Sequence, residues 1–242
     1  MGAITEIKGF VEVSFVDWDG KVASVIFLPR CNFKCPMCHN YKLVLSPEEF
    51  ETIPLERILA FLRKKRNFID GVVITGGEPT IYGDLPELCR TIKKEGFLVK
   101  LDTNGANPPL LRRLISEKLI DFVAMDVKAP LDSEKYAKAA GAEVDIEKIK
   151  ESIEILMKSG IDYEFRTTVV PTISGVQDVA GIASAINGAK KFVLQYFRPG
   201  GALDPELRKT KSTSKEEMDA AVEAARAFVP NTITRGTPFV ET

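Results

Sequence analysis

Histidine is nearly missing from this chain, occurring once in 242 residues, and tryptophan likewise occurs once. A single histidine excludes a histidine-built metal centre and leaves any metal to other donors. No apolar run approaches the ~20 residues of a membrane-spanning helix. The opening residues Met1-Gly2-Ala3-Ile4-Thr5-Glu6 lack the charged lead and apolar middle of an export signal. Neither sign of charge prevails, with 33 Lys+Arg against 34 Asp+Glu. That balance offers no basic face for nucleic acid and no acidic excess of the disordered kind. No stretch has the composition of a spacer, so residues 1–242 are expected to form one domain. Cysteine is scarce too, at four. The thiols are clustered rather than spaced as a disulfide framework, which fits a reducing compartment. A soluble cytoplasmic protein without nucleic-acid or membrane partners is the expectation.

Three of those four cysteines fall in Cys31-Asn32-Phe33-Lys34-Cys35-Pro36-Met37-Cys38-His39-Asn40, directly after the apolar run Val22–Leu28. Thiolates at this spacing can wrap one metal cluster from a single loop, with no fourth ligand in evidence. On a four-iron cluster that leaves one iron open, as catalytic metal sites keep a position open. The competing reading is a zinc knuckle with His39 as fourth ligand. Adjacent Cys38 and His39 would strain to reach one tetrahedral ion, and the chain holds no second Cys or His pair. The fourth thiol, Cys89, lies mid-stripe on a predicted helix and reads as inert core.

Phe10–Trp18 alternates apolar and polar residues, and Asp19-Gly20 then turns into Val22–Leu28, which predicts a hairpin. After the cysteine loop, strand and helix alternate. Leu55, Ile58, Leu59 and Leu62 repeat at helical spacing, and Gly71–Thr75 reads as a buried strand. Asp84 and Glu87 resemble a capping box ahead of the stripe Leu85, Leu88, Cys89 and Ile92. Phe97–Leu101, Phe122–Met125, Tyr163–Val170 and Phe192–Phe197 are the further strands. Helices are expected from Pro108 to about Glu117, along Ile146–Met157 to a stop at Gly160, over Val176–Ile186, and after the cap Ser214/Glu217. Six strands alternating with six helices require a mainly parallel sheet with right-handed crossovers. Six units fall short of a closed eightfold barrel. The expected architecture is therefore an α/β open (β/α)6 three-quarter barrel: a hairpin strand over residues 1–21, a partial barrel over 22–198, and a loop, helix and tail over 199–242. A doubly wound sheet is the rival.

Each chemically unusual segment follows, or lies in, one of these strands: the cysteines, Gly76-Gly77-Glu78-Pro79, Asp102-Thr103-Asn104-Gly105, Asp126-Val127-Lys128, Arg166-Thr167-Thr168 and Gln195–Pro199. In parallel α/β folds the C-terminal strand ends converge on the catalytic face.

With these segments in this order, the chain resembles the radical S-adenosylmethionine (SAM) enzymes, and among them the activating proteins of glycyl-radical enzymes, most of all that of anaerobic ribonucleoside-triphosphate reductase. The similarity runs from Ile7-Lys8-Gly9-Phe10 to Asp204. It implies one [4Fe-4S] cluster on Cys31, Cys35 and Cys38, with SAM on the open iron. It further implies reductive cleavage to methionine and a 5′-deoxyadenosyl radical, an external low-potential donor (flavodoxin or ferredoxin), and a glycyl-radical enzyme as the protein substrate. By the same resemblance, Gly76, Gly77 and Glu78 receive the methionine ammonium, Lys128 and Arg166 face the carboxylate or ribose, and Asn40 and Asn104 lie near SAM. Met37 stands where relatives carry an aromatic residue near the adenine, and Arg30 where they more often have glycine. Asp102, Thr103, the Met125 carbonyl and Asp126 would hold a monovalent cation beside SAM. Alternatively, the aspartates pair with Lys128 or Arg166, or cap helices. The Gly-Gly pair also reads as a plain strand-to-helix turn. Two other functions fit much of this pattern: a radical SAM enzyme on a small molecule, of the 7-carboxy-7-deazaguanine synthase kind, and a non-enzymatic iron–sulfur carrier.

Overall fold

Hydrophobic runs bounded by turn residues become strands in the computed structural model, which describes residues 6–237. The elements in chain order are β1 (Gly9–Ser14), β2 (Ala23–Leu28), α1 (Tyr41–Leu45), α2 (Leu55–Lys64), β3 (Gly71–Gly76), α3 (Leu85–Lys94), β4 (Leu98–Thr103) and α4 (Pro108–Ser116). They continue with β5 (Phe122–Asp126), α5 (Ser133–Ala140), α6 (Ile146–Lys158), β6 (Asp162–Val169), α7 (Val176–Ala185), β7 (Phe192–Tyr196), α8 (Lys215–Arg226) and β8 (Thr232–Arg235). All eight strands belong to one sheet in the order β1 to β8, so β1 and β8 are its ends and it does not close. This is the α/β open-barrel topology that the alternation predicted. A doubly wound sheet would reverse its strand order at a switch point, and this one does not.

Packing divides the chain into two units that interleave along the sequence. The first runs to Asn32 and includes Asn40–Thr103 and Asn107–Ala124. The second takes Phe33–His39, Asn104–Ala106 and the chain from Met125 onward. In the first unit, β1 pairs antiparallel with β2, as the hairpin signal required. From there the pairing is parallel, β2 with β3 from Ala23↔Gly71 to Leu28↔Gly76, and β3 with β4 from Gly71↔Leu98 to Ile74↔Leu101. Trp18, in the β1–β2 connection, packs on Ala23, Val25 and Val73. Ile58, Leu59 and Leu62 of α2 and Leu85, Leu88, Cys89 and Ile92 of α3 are buried, as their spacing predicted. Each fully buried side chain of this size contributes about 1.5–3 kcal/mol.

In the second unit β6, β7 and β8 pair in parallel, from Phe165↔Phe192 and Phe192↔Thr232. Glu164 on β6 is 1% exposed. It is neutralised by an Arg235 fork at 2.7 and 3.0 Å and by Lys191 at 3.0 Å. That ion cluster fixes β8, a strand where the sequence was read only as tail. Residues 238–242 of that tail lie outside the described residues.

Two local expectations need correction. Asp84 stands at the N-cap of α3 without a side-chain cap bond, and Glu87 bonds Arg90 at 2.5 Å instead of reaching back. The box expected at Ser214 and Glu217 does form, with both reciprocal bonds present. Helix α5 was not foreseen, because Ser-Glu-Lys-Tyr-Ala-Lys-Ala-Ala carries no aliphatic stripe. It rests instead on Tyr136, Ala139 and Ala140, with Asp132 capping its start and Gly141 (φ +61°) ending it.

Candidate active site

Strand exits carry the unusual residues, as the sequence order implied. In the first unit, Gly76 ends β3 with φ +117°. A Cβ on Gly77 would stand 1.7 Å from the Arg30 carbonyl oxygen, so the turn requires glycine. The backbone N–H groups of Gly77 and Glu78 donate to Leu28 and Arg30 carbonyls at 2.8 and 2.9 Å. Asn40 donates through Nδ2 to the Gly76 carbonyl at 2.9 Å. Arg30 itself has φ +58°, the region glycine favours.

Glu78 is 1% exposed. Its Oε1 accepts from Thr80 N at 3.0 Å, Thr80 Oγ1 at 2.6 Å and Thr103 Oγ1 at 2.7 Å. Asp102, beside Thr103 at the end of β4, lies 3.5 Å from the ammonium of buried Lys100. Lys100 also donates to the Asp17 carbonyl and lies over the Phe122 ring. Cys31 is half-buried just beyond β2.

In the second unit, the segment Phe33–His39 is held from several sides. Lys34 N donates to the Ala140 carbonyl at 2.9 Å, and a Cβ on Gly141 would meet the Lys34 carbonyl oxygen at 2.1 Å, so α5 ends tight against this loop. Asp204 N donates to the Pro36 carbonyl at 2.9 Å, and His39 Nε2 lies 2.8 Å from the Arg198 carbonyl oxygen. The one histidine is therefore a loop tie between the cysteine segment and the β7 exit. Cys35 and Met37 are buried, and Cys38 is half-buried. Asn104 accepts from Ala106 N through Oδ1, and the Gly105 carbonyl accepts from Ser152.

Asp126 at the end of β5 accepts from Arg166 Nε at 2.8 Å and from Lys128 Nζ at 2.7 Å. Burial pushes its carboxyl up, but Arg166 and Lys128 outweigh that and hold it at about 2. Lys128 is held well above the usual lysine range because Asp126 outweighs the burial that would lower it. Tyr136, fully buried on α5, accepts from Lys128 N at 3.3 Å. Its hydroxyl is raised mainly by burial. Burial also raises the Cys35 thiol, with Lys128 acting against it.

The structure thus realises the pairing alternative for Asp126. With two cations on one carboxylate the triad is net positive, which suits an incoming carboxylate. Cys89 is buried with its thiol pushed up by burial to about 12, an inert core group as its place in the stripe indicated. Reading the sequence missed Thr80 and Tyr136. Thr80 follows Gly76–Pro79 directly and was the more legible. Tyr136 sits on the unforeseen α5.

Cys31, Cys35 and Cys38 all carry free thiols. Among the described residues, no three Cys, His, Asp or Glu side chains gather where a single metal ion would sit. Three thiols in eight residues of one loop suit a cluster, which presents separate irons to separate sulfurs. Within the second unit, the net-positive triad at β5–β6 offers its charge to a carboxylate.

The Radical SAM superfamily model matches residues 25–181. A Methanocaldococcus jannaschii protein named as a candidate glycyl-radical enzyme activating enzyme is 36% identical over 235 residues, covering 95% of this chain and 95% of its own. A 7-carboxy-7-deazaguanine synthase of Neisseria meningitidis is 36% identical over 110 residues, 46% of this chain and 45% of its own. Among solved structures, Streptococcus suis SuiB bound to precursor peptide SuiA superposes with TM-score 0.65 at 16% identity, covering 88% of this chain and 48% of that one. Escherichia coli QueE gives 0.54 at 17%, covering 96% and 93%.

Proposed function

This chain belongs to the Radical SAM superfamily, and from that premise we propose that it activates a glycyl-radical enzyme, with anaerobic ribonucleoside-triphosphate reductase as the protein it serves. The match to the Methanocaldococcus relative, over 95% of each chain, carries the activating-enzyme part of this reading, and the choice of reductase rests on the motif resemblance. Similarity confined to the cluster-binding half would have supported only the shared chemistry.

Membership brings a [4Fe-4S] cluster and SAM. When bound, the cluster supplies the electron that splits the sulfonium of SAM into methionine and a 5′-deoxyadenosyl radical. Cys31, Cys35 and Cys38 hold the cluster, and burial of Cys35 keeps water from its sulfur. In the first unit, Glu78 and the carbonyls of the glycine turn receive the methionine ammonium. In the second, Lys128 and Arg166 offer positive charge to the carboxylate, and Asp126 keeps their side chains in place. Asn40, Met37 and Asn104 complete the SAM contacts. No helix among the described residues is long and apolar enough to cross a membrane. The clustered thiols support a reducing compartment, and flavodoxin or ferredoxin is the donor of this proposal.

The test is anaerobic reconstitution with iron and sulfide, followed by reductant, SAM and the glycyl-radical enzyme. A glycine-centred radical on the partner, with one 5′-deoxyadenosine per radical, is the expected result. Absence of 5′-deoxyadenosine from fully loaded protein would refute the assignment. Deoxyadenosine without any partner radical would favour the second reading, a small-molecule radical SAM enzyme, which the local match to the deazaguanine synthase supports.

A further inference from the structure

The Glu78 carboxylate is held more firmly than a turn requires. Capping the 3-10 turn Pro79–Ile81 needs one bond, and Thr80 N supplies it at 3.0 Å. Two hydroxyls then converge on the same oxygen, Thr80 Oγ1 at 2.6 Å and Thr103 Oγ1 at 2.7 Å. All three residues are buried, at 1, 2 and 4% exposure for Glu78, Thr80 and Thr103. The donors come from two different strand exits, those of β3 and β4. The terminal torsion of glutamate is broad and would leave the carboxylate plane free to turn. Three donors on Oε1 fix that plane, while the Glu78 backbone is tied to the Arg30 carbonyl at 2.9 Å.

We infer that Thr80 and Thr103 are positioning residues that aim the Glu78 carboxylate at the ammonium of bound SAM, an inference that rests on the SAM-binding reading above. Thr103 thereby acts through Glu78. A carboxylate gives its strongest contact to an ammonium when its plane is preorganised, because the ordering entropy has then been lost during folding rather than on binding. Removing one hydroxyl leaves the charge in place and frees the plane. The loss should fall on the ammonium contact and spare the rest of the nucleoside.

The test uses the anaerobically reconstituted, unreduced protein and two probes: SAM, and its analogue lacking the α-amino group. Dissociation constants are measured for wild type, Thr103→Val, Thr103→Ser and Thr80→Val. Coordination of the amino group by iron is common to all four proteins and cancels in the comparison of ratios. Wild type should prefer SAM. Thr103→Val and Thr80→Val should each lower that preference about tenfold, the weight of one charge-assisted hydrogen bond. Thr103→Ser should restore it. An unchanged preference in both valine variants, or equal weakening of both probes, would overturn the inference and make the threonines merely structural. Should one valine variant fail to fold, the other decides by the same ratio. Failure of wild type to bind SAM at all would overturn both this inference and the reading beneath it.

Discussion

Replacing Asp126 with Asn should destabilise the protein strongly at neutral pH and less in acid. Asp126 lies between Lys128 at 2.7 Å and Arg166 at 2.8 Å, with about a quarter of its side chain, 26%, open to water. Its carboxyl titrates at about 2, whereas an unfolded aspartate titrates near ~3.9. A depressed carboxyl contributes stability that is complete above the unfolded value and disappears as pH falls through the folded one. The window here runs from about pH 5 down to about pH 2. Linkage gives on the order of 2.5 kcal/mol, which partial exposure trims to about 1–2. Asp126→Asn also leaves two partly buried cations without a counter-charge, so the neutral-pH loss should reach about 2–4 kcal/mol. Urea unfolding of cluster-free wild type and variant at pH 7, 5 and 3 measures this, cluster-free because acid strips thiolate-bound metal. The gap between the two proteins should narrow by about 0.5–1 kcal/mol between pH 7 and pH 3. A gap that stays constant would show that Asp126 draws no stability from its charge, and the account of the triad would fail.

Gly77→Ala should abolish folding or cost more than about 3 kcal/mol, because its new methyl carbon would stand 1.7 Å from the Arg30 carbonyl oxygen and both are backbone-fixed; thermal unfolding tests it, and a loss under about 1 kcal/mol would refute the close approach. Arg30→Gly should be neutral to stabilising by about 1 kcal/mol, since φ +58° costs an L-residue and not glycine; Arg30→Ala, which keeps that cost, is the control. Cys35→Ala should lose most of the bound iron, whereas Cys89→Ala should keep it and lose only about 1–2 kcal/mol of stability for a small core cavity. Iron content and thermal unfolding separate the two, and loss of iron in the Cys89 variant would contradict its assignment as core.

Much of this molecule follows from periodicity and spacing alone. Hydrophobic alternation located the hairpin and five later strands, because a buried parallel strand needs a continuous apolar run whatever surrounds it. The order of unusual residues behind those strands is legible in the sequence, and the strand exits carry them. What stayed hidden depends on partners distant in the chain. Helix α5 buries a tyrosine and two alanines and has no stripe to betray it. Strand β8 holds because Arg235 reaches Glu164, 71 residues earlier.

The choice between Asp126 as an ion-pair member and as a cation ligand turned on where Arg166, 40 residues on, points its guanidinium. Glu78 and Thr103 are separated by 25 residues and meet because β3 and β4 are neighbours. Sequence by itself determined which chemistry this chain can carry, since ligand type and local spacing are written in adjacent residues. Tertiary structure alone decided which charges neutralise each other and which carboxylate is held still, because hydrogen bonds and ion pairs act over a few ångströms and the chain brings those groups together only by folding.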